Sequence, residues 1–155
     1  MNGLIEKFVR ESNRIEGIER TTARHIEAHY AFLNSPITIP ALVAFVGEVQ
    51  PNARFRNDAK ISGVRVGNHI APASGPQIEV ELRRILTIRD PWEQHIAYET
   101  LHPFTDGNGR SGRAVWLHRH WHENVDAWAI ERGFLHSWYY HTLSAVRTLP
   151  TPGDG

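Results

Sequence analysis

Apolar residues along the chain recur mostly at helical spacing. Leu4, Ile5, Phe8, Val9 and Ile15 predict a short N-terminal helix over about residues 3–17, with Gly17 placed to stop it. Thr21 or Thr22 caps a second helix reaching about Asn34, with Ile26, Tyr30 and Leu33 on one face. Thr38 and Pro40 open a third, carrying Leu42, Phe45, Val46 and Val49. Gly75-Pro76 starts another with Ile78, Leu82, Ile85 and Leu86. Asp90-Pro91 starts a fifth with Trp92, Ile96 and Leu101 inward. After a loop at 103–108, one helix is expected from about Gly109 to His122. A last one runs roughly from Arg132 to Thr148, with Phe134, Leu135, Trp138 and Leu143. Residues 61–73 break the pattern. Val64, Val66, His69 and Ile70 alternate with other residue types around Gly67-Asn68, which predicts a β-hairpin. A lone hairpin cannot make a sheet domain, so it is expected to lie over the helices as a flap. The predicted fold is all-α, mainly helical, with a small β-hairpin flap. It forms a single domain over residues 1–150, and the Pro- and Gly-containing tail 151–155 is expected to be disordered.

Composition narrows the function classes. The chain has 155 residues, enough for one domain with a real hydrophobic core. Its 17 basic residues balance 17 acidic ones, so neither nucleic acid nor a membrane surface is implied and any anion site must be local. With no cysteine, disulfides, thiolate metal sites and thiol nucleophiles are excluded. No apolar run approaches membrane-spanning length and residues 1–20 carry charges throughout, so the expectation is a cytoplasmic protein. His118 and His122 could chelate a metal from one helix face, but no acidic or cysteine partner stands at motif spacing. They and the other histidines read as surface residues, and the tryptophans as core.

The chemistry concentrates in His102-Pro103-Phe104-Thr105-Asp106-Gly107-Asn108-Gly109-Arg110-Ser111-Gly112-Arg113. An imidazole is suited to accept a proton near neutral pH, which makes His102 a candidate general base. Asp106 offers a carboxylate for Mg²⁺ beside phosphate oxygens. Gly107-Asn108-Gly109 lets the backbone approach a ligand where N–H groups converge at a helix start, a natural anion site. Arg110 and Arg113 share a face of the following helix and can fork onto phosphates. Phe104 has no polar role and reads as the anchor of the loop. A Gly-Asn-Gly turn and a solvated pair of arginines would be the plain reading of either piece alone.

Together these residues match His-x-Phe-x-(Asp/Glu)-Gly-Asn-Gly-Arg-x-x-Arg, and so many specified positions coincide by chance at a frequency on the order of 10⁻¹⁰. The chain resembles the Fic (filamentation induced by cAMP) family, and the order of helices and flap is similar over most of its length. That resemblance implies a protein adenylyltransferase moving AMP from Mg²⁺-ATP to a Ser, Thr or Tyr hydroxyl of a target protein. It makes His102 the base, Asp106 the Mg²⁺ ligand, and Gly107, Asn108 and Gly109 the anion hole. Arg110 would hold the phosphate chain and Arg113 the γ-phosphate. Doc-type relatives, which phosphorylate, typically carry Lys where this chain has Gly109, so the resemblance favours AMP transfer. Transfer of UMP, phosphocholine or phosphate, de-AMPylation, and a non-catalytic ATP-sensing role remain alternatives.

Ser12-Asn13-Arg14-Ile15-Glu16-Gly17 fits the family's inhibitory motif, (Ser/Thr)-x-x-x-Glu-(Gly/Asn), in the position used by relatives with an N-terminal inhibitory helix. The resemblance implies that Ser12 and Glu16 are regulatory, with Glu16 pairing with Arg113. A polar helix face ended by Gly17 is the simpler alternative. The flap residues Val64, Val66, His69 and Ile70 would dock the target as an added strand. A homodimer is also compatible with the family.

Overall fold

The segment that brings the motif together is a helix whose sequence is polar and whose position is central. The computed structural model describes residues 2–148. Eight helices and one hairpin follow in the order α1 (Asn2–Ile15), α2 (Ala23–Leu33), α3 (Ile39–Val49), β1 (Arg65–Val66), β2 (His69–Ile70), α4 (Pro76–Ile85), α5 (Pro91–Leu101), α6 (Asn108–Glu123), α7 (Ala129–Arg132) and α8 (Phe134–Thr148). The chain is mainly helical, with a single small antiparallel sheet among the described residues. Local sequence sets the helix starts: Thr22 accepts from His25 N–H, Thr38 from Ala41 N–H and Asp90 from Glu93 N–H.

Two apolar clusters flank α6. One gathers Phe32, Leu42, Phe45, Leu82, Tyr98 and Val115, and the other Ile5, Phe8, Val9, Trp116, Leu117 and Phe134. Successive residues Val115 and Trp116 thus face opposite clusters, as a helix enclosed on all sides requires. Trp116 has no exposed surface and stacks on Phe8 with ring centroids 5.9 Å apart. Its other neighbours include Trp92 and Phe134, each at 5.3 Å. This aromatic group fastens α1, and with it Ser12 and Glu16, to the helix that carries the motif.

Several expectations need correction. His118 and His120 are buried, not surface residues, because α6 runs through the middle of the molecule. His118 Nε2 is bonded to the Ser35 carbonyl, and the His120 ring lies 4.3 Å from that of Trp116. Burial also pushes His29 and His95 down to about 4, so both are neutral inside the fold at ordinary pH. Ile96 is exposed, since the inward face of α5 is Gln94, His95, Tyr98 and Leu101. Leu135 and Trp128 are exposed as well. The expected last helix is present as α8 and begins at Phe134, where Gly133 (φ 96°) separates it from the one-turn helix α7 and Glu11 of α1 accepts from Phe134 N–H. The tail expected to be disordered lies outside the described residues.

Trp116→Ala should destabilise the fold by about 3–5 kcal/mol, the range for deleting a large buried aromatic side chain. Urea titration followed by circular dichroism measures this, and a midpoint equal to wild type would contradict the central packing role.

Candidate active site

The site starts where α5 ends. His102 is the C-cap, in the left-handed region at φ 50° and ψ 67°, and its N–H bonds Tyr98 O at 3.0 Å. Pro103 follows and cannot prolong the helical ladder. The His102 ring pairs through Nδ1 with the Glu99 carbonyl. A carbonyl only accepts, so Nδ1 carries the proton of the neutral ring and Nε2 keeps the lone pair. The turn therefore selects the tautomer a base needs.

The loop beyond is braced on both sides. Asn108 accepts from Phe104 N–H at 2.9 Å and donates to Phe104 O at 2.8 Å. Phe104 is buried and its ring lies 5.5 Å from that of Phe55. The segment before the hairpin runs antiparallel to the loop, with Thr105 N–H to Arg54 O and Arg56 N–H to Pro103 O, both 2.9 Å. Gly107 takes φ 77°, a conformation that favours glycine, and no side chain caps α6. The first turn of a buried helix is left open to an anion.

Arg113, buried, is the charge behind that opening. Its Nε donates to Ser12 Oγ at 2.8 Å, and Nη2 donates to Ser12 O at 3.0 Å and to Glu16 Oε1 at 2.7 Å. The Glu16 carboxylate is half-exposed, at 39%, while the Arg113 side chain is 6% exposed. Glu16 comes so near Gly109 that a Cβ there would collide with its Oε1. The carboxylate therefore occupies space at the helix start that only glycine leaves free. Arg110 is also buried, and its guanidinium donates to Val49 O at 2.8 Å and Gln50 Oε1 at 2.6 Å. Those bonds tie α6 to the end of α3.

A cavity of about 520 Å³ opens over this arrangement. Its lining brings together Glu16, Val64, Val66, His102, Asp106, Gly107, Asn108, Gly109 and Arg110 of the sequence-predicted residues. Ser12, Arg113, His69 and Ile70 are not part of that lining. Ser12 and Arg113 pair with each other beside Glu16, and Ile70 is exposed on the hairpin. His69 bonds the Thr100 carbonyl through Nε2 at 2.8 Å, with its ring 6.3 Å from that of His102. Asp106 is exposed at the cavity and accepts from Gly107 N–H at 2.8 Å. No cluster of three or more metal-ligating side chains occurs among the described residues. A single carboxylate fits Mg²⁺ held jointly with phosphates and waters, and does not fit an all-protein cage.

Sequence reasoning missed Glu99, which also lines the cavity. Burial pushes its carboxyl up to about 7, with Arg113 pulling it down and Glu16 pushing it up. Its Oε1 is buried without a hydrogen-bond partner. The one available signal was an acidic residue in the last turn of α5, where the helix dipole disfavours negative charge.

A lone-pair imidazole, an open helix start and buried cations around one cavity define a site for moving a phosphate-linked group onto a nucleophile. The Fic/DOC family model matches residues 12–118, and the chain belongs to that family. It is a Fic-type transferase. No curated protein shows significant similarity to the chain.

Glu99 generates a pH prediction. Its carboxyl has a raised folded-state value, so its ionisation costs stability as pH climbs from the unfolded value of 4.5 through about 7. Glu99→Gln should therefore raise Tm at pH 8, on the order of 5 °C, and leave it nearly unchanged at pH 5. Thermal melts at the two pH values decide it, and equal effects at both would contradict the assignment.

Proposed function

We propose that the chain is a protein adenylyltransferase held in a restrained state by its own N-terminal helix. The observation that carries the reading is the Glu16 carboxylate lodged between Arg113 and Gly109 at the start of α6. Gly109 itself favours AMP transfer by the comparison with Doc-type relatives made above. In the forward reaction His102 Nε2 takes the proton from a Ser, Thr or Tyr hydroxyl of the target protein. The oxygen then attacks the α-phosphorus of ATP, a new P–O bond forms, and the bond to pyrophosphate breaks. The amides of Gly107, Asn108 and Gly109 and the guanidinium of Arg113 offset the negative charge gathered on the phosphates. Mg²⁺, when bound, would add to that neutralisation, and Asp106 would be its protein ligand.

The restraint follows from occupancy. Glu16 uses the Arg113 donor that the γ-phosphate would need, and an arginine–carboxylate bond is a strong competitor for it. ATP seated with its γ-phosphate displaced would present the α-phosphorus away from in-line attack. When Glu16 leaves, Arg113 can keep both bonds to Ser12, and the γ-phosphate supplies the counter-charge that the carboxylate gives up. The hairpin residues Val64, Val66, His69 and Ile70, exposed or half-exposed beside His102, are read as the edge against which the target segment lies.

Purified protein with Mg²⁺ and α-labelled ATP tests both parts. Glu16→Gly should raise label incorporation about 10-fold or more, since a group blocking only the productive pose suppresses turnover and not folding. His102→Ala in the Glu16→Gly background should lower it by about 10²–10⁴, the usual contribution of a general base. Incorporation unchanged by Glu16→Gly in a folded protein would refute the restraint. Label from γ-labelled but not α-labelled ATP would replace AMP transfer with phosphorylation.

A further inference from the structure

Among the described residues one charged side chain has no exposed surface at all, and it lies outside the cavity lining. Arg56 is 0% exposed. Its Nε donates to His102 O at 2.7 Å and Nη2 to Leu101 O at 2.8 Å. Nη1 donates to Pro72 O at 2.8 Å and to Ser74 Oγ at 3.1 Å. None of the ion pairs among the described residues includes it. A buried cation without a carboxylate is costly unless dipoles replace the lost water. Here they are the carbonyls at the end of α5, where the helix dipole is negative and backbone acceptors lack helical partners.

These bonds fall on the two segments that the proposed chemistry must hold together. Leu101 and His102 form the turn that bears the base. Pro72 and Ser74 lie where the chain leaves the hairpin for α4. The Arg56 backbone repeats the link, donating to Pro103 O at 2.9 Å and accepting from Gly75 N–H at 3.0 Å. His102 sits in left-handed backbone, which for a residue with a side chain is disfavoured and must be held by its surroundings.

We propose that Arg56 is the positioning residue for His102. By capping α5 it holds the left-handed turn that lays the imidazole Nδ1 on the Glu99 carbonyl, and by the same fork it makes the hairpin base and the catalytic turn one rigid unit. The geometry requires arginine. Three nitrogens in one plane reach four separated acceptors, whereas a lysine ammonium reaches from a single point.

The proposal rests on the reading of His102 as base, so its test includes a readout that needs no turnover. Arg56→Lys and Arg56→Met are made in the Glu16→Gly background and labelled with ¹⁵N. Imidazole nitrogens are observed by long-range ¹H–¹⁵N correlation at pH 7.5, with His102 assigned by its loss in His102→Ala. The parent should show a single tautomer protonated on Nδ1. Arg56→Lys should show averaging with the Nε2-protonated form, ATP affinity within about 2-fold of the parent, and kcat lower by about 10², the scale for a misplacement near 1 Å. If Arg56→Met does not fold, Arg56→Lys decides alone, since it keeps the charge and most of the volume. An unchanged His102 tautomer in folded Arg56→Lys overturns the proposal whatever the turnover. A parent that transfers no label refutes the adenylyltransferase reading, while the tautomer comparison still decides the role of Arg56.

Discussion

A guanidinium enclosed between two helices has to be satisfied by whatever packs over it, and at Arg113 that demand shapes the molecule. The aromatic group around Trp116 brings α1 against α6, and Ser12 then meets Arg113 through both its hydroxyl and its carbonyl. Glu16, one helical turn further on, adds the charge that balances the cation. Desolvation makes the first two contacts hard to give up, whereas the third involves a carboxylate still reached by water. One side chain thus docks α1 through Ser12 and, in the restraint proposed above, also holds Glu16.

The same principle, that buried polar groups must be paired, accounts for the unusual character of α6. Polar residues along it meet partners from several elements: Ser111 with the Tyr98 hydroxyl at 2.7 Å, His118 with the Ser35 carbonyl, Arg110 with the end of α3. Each bond fixes the helix against a different neighbour. The start of α6 is held rigidly from behind while its amides stay uncovered in front. Charge stabilisation by fixed dipoles requires that combination.

Much of this was legible in the chain. Thr22, Thr38 and Asp90 announced helix starts that the structure keeps, and Gly67-Asn68 announced the hairpin turn. The motif from His102 to Arg110 marked the cavity, with Arg113 behind it, because its chemistry is local in sequence. What stayed hidden depended on contacts distant in sequence. Arg56 carries no sign in its neighbourhood that it will cap a helix more than forty residues away. His118 and His120 of α6 looked solvated because a polar sequence usually means a surface helix, and here the packing of both clusters on that helix overrode the pattern. Ile96 and Leu135 looked inward because apolar character alone does not choose a face when neighbours such as Gln94 and Ser137 take the buried positions.

The hairpin contributes no residue to either apolar cluster, and nearly all of its length from Ser62 to Ile70 is exposed. Its root is nevertheless pinned to the turn that bears His102. Those two facts together separate the inheritance of chemistry from the inheritance of taste. Residues along the hairpin can be exchanged one after another at little cost to folding, while the spot they overlook stays fixed. If the hairpin docks the target as proposed, a lineage built on this scaffold can drift from one recognised surface to another without rebuilding the site beneath it.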